Sequence, residues 1–291
     1  MTGNFFNKRQ TVINTMVNII VSVISCFFLV QFISSVMNSW HLSDLSSKWQ
    51  SLLIMAAAVV LTQLLKAMRY YVIVFGLEIS DYRILQLYFR TTIVSQLIPF
   101  KLGELYRMHA YGHELNSYSK GIILVILDRF FDSLGIITVG FIILLCNNTQ
   151  LPPPIIIALT AFIFSICCAY LVEPSFYKFW NNYFIVNRTS RNTLYALRFL
   201  ESINSLFASV RKIISGKFLI LYITSLVSWI IEIAAYSLLT SGQNDINQYL
   251  LNISAGHPDS YTVLYSVFVL IFLLLASAAL LIRHCQHRKE N

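Results

Sequence analysis

Charge is scarce in this chain of 291 residues: 12% are Asp, Glu, Lys or Arg, about half the ~25% usual in a soluble globular domain. That shortage argues against a soluble enzyme, and the 57% apolar fraction argues against a disordered chain. Acidic residues are the scarcer sign, 13 against 21 basic. The basic residues sit beside apolar segments, which is the pattern of positively charged cytoplasmic loops, so no nucleic-acid partner is expected. Cysteine is also sparse, and its 5 copies have no repeating spacing. Cys26, Cys167 and Cys168 lie inside apolar runs, where a small soft side chain packs well. Neither a disulfide framework nor a zinc site follows. The tail cluster His284-Cys285-Gln286-His287 reads as chance rather than as a metal site. The chain lacks a Gly-rich phosphate loop, a nucleophile elbow and an HExxH motif. No metal and no cofactor are expected.

What the chain does have is long apolar runs. A bilayer core of ~30 Å needs about 20 residues of helix. Six stretches qualify: Thr11 to Met37, Ser51 to Phe75, Gly121 to Leu145, Pro154 to Val172, Phe218 to Thr240 and Thr262 to Ile282. The first follows Lys8 and Arg9, but it is too long for a signal-peptide core and has no small-residue cleavage site, so it reads as an anchored helix.

Leu85 to Phe100 is apolar but short, carries Arg90 and ends near Pro99. The distribution of charge decides whether it crosses. Lys8 and Arg9 put the N-terminus in the cytoplasm. The segment from Glu173 to Lys217 holds Lys178, Arg188, Arg191, Arg198, Arg211, Lys212 and Lys217, and the tail holds Arg283, Arg288 and Lys289. The loops around Pro152 and Asp245 hold no basic residue. These charges share one side only if residues 85–113 dip into the membrane and return. The expectation is a re-entrant hairpin, whose backbone survives at membrane depth only inside protein or against a wet cavity. Residues 190–215 carry apolar positions at helical spacing among Arg191, Arg198, Arg211 and Lys212, with Gly216 as a stop. They form either an amphipathic helix on the membrane surface or a helix packed on the cytoplasmic end of the bundle.

Ionisable residues at membrane depth cost several kcal/mol, from roughly 2.5 at a helix centre, so they need partners or water. The main cluster is Pro99, Lys101, Gly103, Glu104 and Arg107. Pro99 ends one helix, Gly103 permits close backbone approach, and Glu104 and Arg107 share a helix face. With Lys101, the start of this helix could hold a phosphate-bearing head group; the alternative is a polar loop with a local salt bridge. Asp128, Arg129 and Asp132 form a second cluster, about two turns inside an otherwise apolar helix. It reads as a functional site or as an ion network that locks the bundle. Lys66 and Arg69 either snorkel to the head groups or face inward. Arg90 is deeper and is expected to line the cavity. Glu232 is mid-helix and needs a partner on another helix, or a proton. Trp229 beside it reads as packing, and His109, His113 and Glu114 as polar loop residues.

The stretch SQLIPFKLGELYRMHAYGHELNSYSKGIILVILDRFFD resembles the flippase-like membrane proteins related to the transmembrane region of lysylphosphatidylglycerol synthases. That family's pattern is a Pro, a basic residue, Gly-Glu and an Arg three beyond the Glu, then Arg-x-x-Asp about twenty residues on. Here those positions are Pro99, Lys101, Gly103-Glu104, Arg107, Arg129 and Asp132. Arg69 in the second span and SWIIE ending at Glu232 are similar too. The family's later Pro-Gly-Gly-x-Gly run is not present; the corresponding region reads SAGHPDSY, with Gly256, Pro258 and Asp259. The resemblance implies re-entrant segments, a bacterial cytoplasmic-membrane location and the handling of lipid head groups.

The resulting expectation is one all-α polytopic membrane domain over 1–291, with six full spans, one re-entrant hairpin and both termini cytoplasmic. Its function would be to bind and translocate an amphipathic lipid, phospholipid or polyprenyl-linked glycolipid, rather than to catalyse a reaction. The site would comprise Arg69, Arg90, Pro99, Lys101, Gly103, Glu104, Arg107, Asp128, Arg129, Asp132 and Glu232. A membrane-embedded transferase, or a non-catalytic partner of cell-envelope glycan synthesis enzymes, is the alternative.

Overall fold

The computed structural model describes residues 2–39, 49–75, 80–98, 102–147, 153–187, 191–239 and 260–290. Among them there are nine α-helices and no strand: α1 (Thr2–Ser39), α2 (Trp49–Val74), α3 (Asp81–Leu97), α4 (Leu102–Glu114), α5 (Tyr118–Asn147), α6 (Pro153–Asn187), α7 (Arg191–Ile214), α8 (Phe218–Leu239) and α9 (Ser260–Glu290). Four contain segments long and apolar enough to cross a membrane: Val12–Ser34, Trp49–Val74, Phe218–Leu238 and Val263–Arg283.

Local chemistry sets several of the helix ends. Ser80 is extended and Asp81 lies in the first turn of α3, where a carboxylate favours the helix N-terminus. Ile98 ends α3 in extended backbone, the conformation preferred before a proline. After α4, Asn116 takes a positive φ, and the Ser117 amide closes on the Gly112 carbonyl at 2.9 Å. Gly216, also at positive φ, stops α7 where the sequence predicts.

α3 and α4 form an antiparallel hairpin. Ser95 bonds Glu104 near its tip at 2.9 Å, Thr91 meets Tyr111 at 3.1 Å in its middle, and Arg83 pairs with Glu114 at its base at 3.3 Å. Gly103 makes the tip possible, because an added Cβ would run into the Ser95 backbone. The base of the hairpin shares one face of the bundle with several other helix ends. Lys217 ahead of α8 donates to the Phe75 carbonyl beyond α2 at 2.6 Å, and Tyr82 donates to the Leu280 carbonyl of α9 at 2.9 Å. Asn14, near the start of α1, bonds His113 at 3.2 Å.

The core lies among α2, α3, α4, α5, α8 and α9, around Tyr70, Ile73, Leu124, Phe131, Leu221 and Leu273. The outer surface is apolar as well: Ile19, Ile20, Val23 and Phe27 of α1 and Ile271, Leu274 and Leu275 of α9 are exposed. A helical surface of this kind suits a hydrocarbon solvent, in which backbone groups are satisfied internally.

α6 runs well beyond the expected 154–172. It continues through Pro174 to Asn187. Beyond the proline, aromatic side chains meet one turn apart, Phe176 with Trp180 at 6.0 Å and Trp180 with Phe184 at 5.4 Å, and such pairs support the helix that follows the lost backbone bond. α7 covers nearly the whole of the expected 190–215. Leu206, Val210 and Ile213 in its C-terminal half pack on the bundle, while Leu194, Tyr195 and Phe199 are exposed. A buried Glu173 binds Arg211 and joins α6 to α7.

Candidate functional site

Three arginines and three carboxylates from α2, α4 and α5 form one network. Arg69 of α2 donates to Asp128 Oδ1 through both Nε (3.0 Å) and Nη2 (2.7 Å). Its Nη1 reaches Asp132 at 3.1 Å and Ser225 Oγ at 3.0 Å. Arg107 of α4 faces the other oxygen of Asp128 at 3.4 Å and Glu104 at 3.6 Å. Arg129 of α5 bridges Glu104 (3.0 Å), Asp128 (3.7 Å) and Asp132 (3.6 Å). The formal charges of the six groups cancel. That cancellation lets them lie inside an apolar bundle, where an unpaired ion would be very costly.

The backbone is arranged to hold this network. Gly135 brings α5 against α8, since an added Cβ would lie 2.6 Å from Ser225 Oγ. With the helices this close, Ser225 donates to the Phe131 carbonyl at 2.7 Å and Trp229 Nε1 to the Asp132 carbonyl at 3.1 Å. Behind Arg107, the Tyr111 hydroxyl accepts from its Nε and Nη2 at 3.3 Å each. The guanidinium also lies 6.0 Å from the Tyr88 ring centroid and 5.7 Å from that of Tyr111, a distance at which the ring faces attract cations. Tyr70 stacks between those two rings, at 5.5 Å and 4.9 Å.

Exposure divides the network. The side chains of Arg69, Arg107 and Asp128 are 3%, 2% and 4% exposed, against 15% for Glu104, 17% for Asp132 and 45% for Arg129. Lys66, one turn before Arg69, is 22% exposed; its ammonium lies 3.5 Å from Glu232 and 5.7 Å from the Trp229 ring centroid. The network therefore has a sealed floor and an open rim, and the rim carries both signs of charge.

The structure thus brings together Arg69, Gly103, Glu104, Arg107, Asp128, Arg129 and Asp132, and joins Glu232 to them through Lys66 and Trp229. Arg90 stands apart: its side chain bonds Asn18 of α1 at 3.1 Å and is exposed. Pro99 and Lys101 lie outside the described residues. Arg69 does not snorkel, and its burial is what lets one guanidinium bind two aspartates. Arg107 is sealed in the floor, behind Glu104 and Arg129 of the rim. Sequence reasoning left Lys66 out of the site, passed over Ser95, Tyr111 and Ser225, and took Trp229 for packing alone. The spacing did hold a signal: Ser225, Trp229 and Glu232 follow one another at four and three residues on one face of α8, and Tyr111 is four beyond Arg107.

The family described as the lysylphosphatidylglycerol synthase TM region matches residues 16–245, a stretch that includes every residue of the network. No curated protein and no solved structure matches the chain. The family acts on lipids, and with four apolar helices of spanning length this is a multi-pass membrane protein. By a match over most of its length, the chain belongs to the family of the lysylphosphatidylglycerol synthase transmembrane region.

Proposed function

We propose that the protein binds the phosphate-bearing head group of an amphipathic lipid at the Arg129 rim and translocates that lipid across the cytoplasmic membrane of a bacterium. The exposure of Arg129 carries this reading. Arg129 lies 11 residues into α5, roughly 16 Å along the axis. A guanidinium at that depth with 45% of its side chain exposed cannot face hydrocarbon, where a charge costs at least about 2.5 kcal/mol. It needs water or an anionic head group beside it. Arginine suits a phosphate because its planar donors can bind two oxygens at once.

The same reading gives the topology. The face shared by the start of α1, the base of the α3–α4 hairpin and the end of α9 carries Arg83, Lys120, Arg211, Lys212, Lys217 and Arg283, so it is cytoplasmic by charge bias. α1, α2, α5, α6, α8 and α9 are then the six spans. The α3–α4 hairpin enters and returns, and delivers Glu104 and Arg107 to membrane depth. The head group would enter at the rim while the acyl or prenyl chains stay in the bilayer.

A reconstituted system tests this. Purified protein in liposomes should exchange labelled anionic, cationic and polyprenyl-phosphate lipids between leaflets with head-group selectivity, and Arg129→Gln should abolish the exchange. Folded wild-type protein that exchanges none of the three would overturn the translocation reading.

A further inference from the structure

The site described above has no net positive charge to offer an anion. Asp128 contacts Arg69, Arg107 and Arg129; Asp132 contacts Arg69 and Arg129; Glu104 contacts Arg107 and Arg129. A monoanionic phosphodiester brought to this balanced, poorly solvated rim would leave one negative charge uncompensated. One proton taken up by one carboxylate would restore the balance.

The geometry selects the carboxylate. Asp128, Asp132 and Glu104 each lie between two or three guanidinium groups. Glu232 instead pairs with the Lys66 ammonium, at 3.5 Å. Lysine is a compact charge on a flexible four-carbon stem, free to swing once released. Lys66 is already partly exposed, and it is close enough to Asp132 for electrostatic interaction with the rim. The Trp229 ring under its ammonium donates to the Asp132 carbonyl, so the pair and the rim share a rigid wall.

The same seam holds polar atoms that the fold leaves unsatisfied. Gln63 is three residues before Lys66 on α2, and Ser228 is four before Glu232 on α8. Both side chains are buried, and neither Gln63 Oε1 nor Ser228 Oγ has a hydrogen-bond partner among the described residues. Buried polar atoms of this kind are costly unless water or a ligand meets them. Gln63, Lys66 and Arg69 face Ser225, Ser228 and Glu232 along helices that are otherwise apolar enough to span a membrane. Glu232 lies 14 residues along α8, roughly 21 Å from its start. It therefore sits past the middle of α8, in the half farther from the basic face.

We propose that Glu232 is a proton site coupled to anion binding. Its protonation frees Lys66 to join Arg129 on the head-group phosphate, so one proton and one anionic head group bind together. The proton comes from water, bonds to a Glu232 carboxylate oxygen and returns to water when the lipid leaves; no other bond forms or breaks. The charged groups around the seam are Lys66, which pairs with Glu232, and Asp132, which interacts with Lys66. Arg69 and Arg129 are held by Asp128 and Asp132, and the Tyr236 and Tyr265 hydroxyls are neutral polar neighbours of the seam. Coupling of this kind is reciprocal, so acid strengthens anion binding as much as the anion strengthens proton binding. The proposal rests on the lipid-binding reading and gives it an energy source.

The test uses the full chain in detergent with dihexanoyl-phosphatidylglycerol, a diester that stays monoanionic. In weakly buffered solution, binding should be accompanied by uptake of up to one proton per protein, read with a pH indicator. Where binding is accompanied by proton uptake, Kd should rise with pH, by up to about tenfold per pH unit. In Glu232→Gln, binding should persist, proton uptake should vanish and Kd should stop responding to pH. Lys66→Gln provides the same readout should the first variant fail to fold, with weaker binding and reduced uptake. Binding without proton uptake in the wild type, or uptake that survives Glu232→Gln, would overturn the coupling alone. No binding by the folded wild type at any pH would overturn the coupling and the lipid-binding reading together.

Discussion

Arg69 and Arg129 both pair with Asp128 and Asp132, yet 3% of one side chain is exposed and 45% of the other. Arg69 spends four of its five N–H donors on protein: two bonds to Asp128, one to Asp132, one to Ser225. Arg129 reaches the same acids at 3.6–3.7 Å and turns the rest of its surface outward. The contrast shows how a membrane bundle can keep a cation available. One arginine neutralises the acids from behind and fixes them, so a second can lean on them loosely and still meet a ligand. Residue type cannot separate the two roles; geometry and exposure do.

Removing Arg69 should therefore do the most damage. Arg69→Met strips Asp128 of its two shortest bonds and leaves Asp132 with the exposed Arg129. Breaking a buried ion pair from one side costs about 3–5 kcal/mol. The expected result is a large fall in thermal midpoint in detergent, partly restored by the double change Arg69→Met, Asp128→Leu, which removes the stranded charge. An Arg69→Met protein as stable as wild type would erase the distinction between floor and rim.

The next effect is steric and sits at the hairpin tip. Gly103→Val places a branched side chain against the Ser95 backbone, where overpacking costs about 1–3 kcal/mol. It should also shift Glu104 and loosen its contact with Arg129. Head-group binding should then weaken together with stability, whereas a rim substitution should weaken binding alone. A Gly103→Val protein with normal stability and normal binding would mean that α3 and α4 do not approach each other this closely.

Parts of this arrangement were legible in the sequence. Glu104 and Arg107 at a spacing of three, and Asp128 and Asp132 at a spacing of four, follow from helix periodicity, and the six-group network contains both pairs. The all-helical fold and the lipid-handling family followed from apolar runs and from the Gly-Glu-x-x-Arg and Arg-x-x-Asp motifs. The fate of Arg69 was not legible. A cation near the end of an apolar helix reads the same whether it snorkels to the head groups or turns inward, and only the aspartates on α5 decide. Arg90 shows the converse: at an apparent depth suited to the cavity, it points to Asn18 of α1 instead. The length of α6 was hidden for a local reason. Pro174 looks like a stop, but aromatic contacts one turn apart carry the helix past it.

The smallest structural effect should come with one of the largest functional ones. Arg129→Gln removes a half-exposed cation whose nearest contact is Glu104 at 3.0 Å. Exposed ion pairs contribute about 0–1 kcal/mol, and the glutamine amide can still donate to Glu104. Asp128 keeps Arg69 and Arg107, Asp132 keeps Arg69 and Glu104 keeps Arg107, so each acid retains a cation although the network is left with one negative charge in excess. The thermal midpoint should fall less than in Arg69→Met, because the excess charge lies at the partly exposed rim rather than in the sealed floor. Binding of dihexanoyl-phosphatidylglycerol should nonetheless fall by at least about tenfold, because a charge-assisted bond to phosphate is worth about 1.5–3 kcal/mol. Measuring midpoint and Kd on the same two variants places each arginine on a plane of stability against affinity. If Arg129→Gln lost stability as steeply as Arg69→Met, both would be scaffold and the head group would have to bind elsewhere. If both variants bound lipid normally, the network would serve only to lock the bundle.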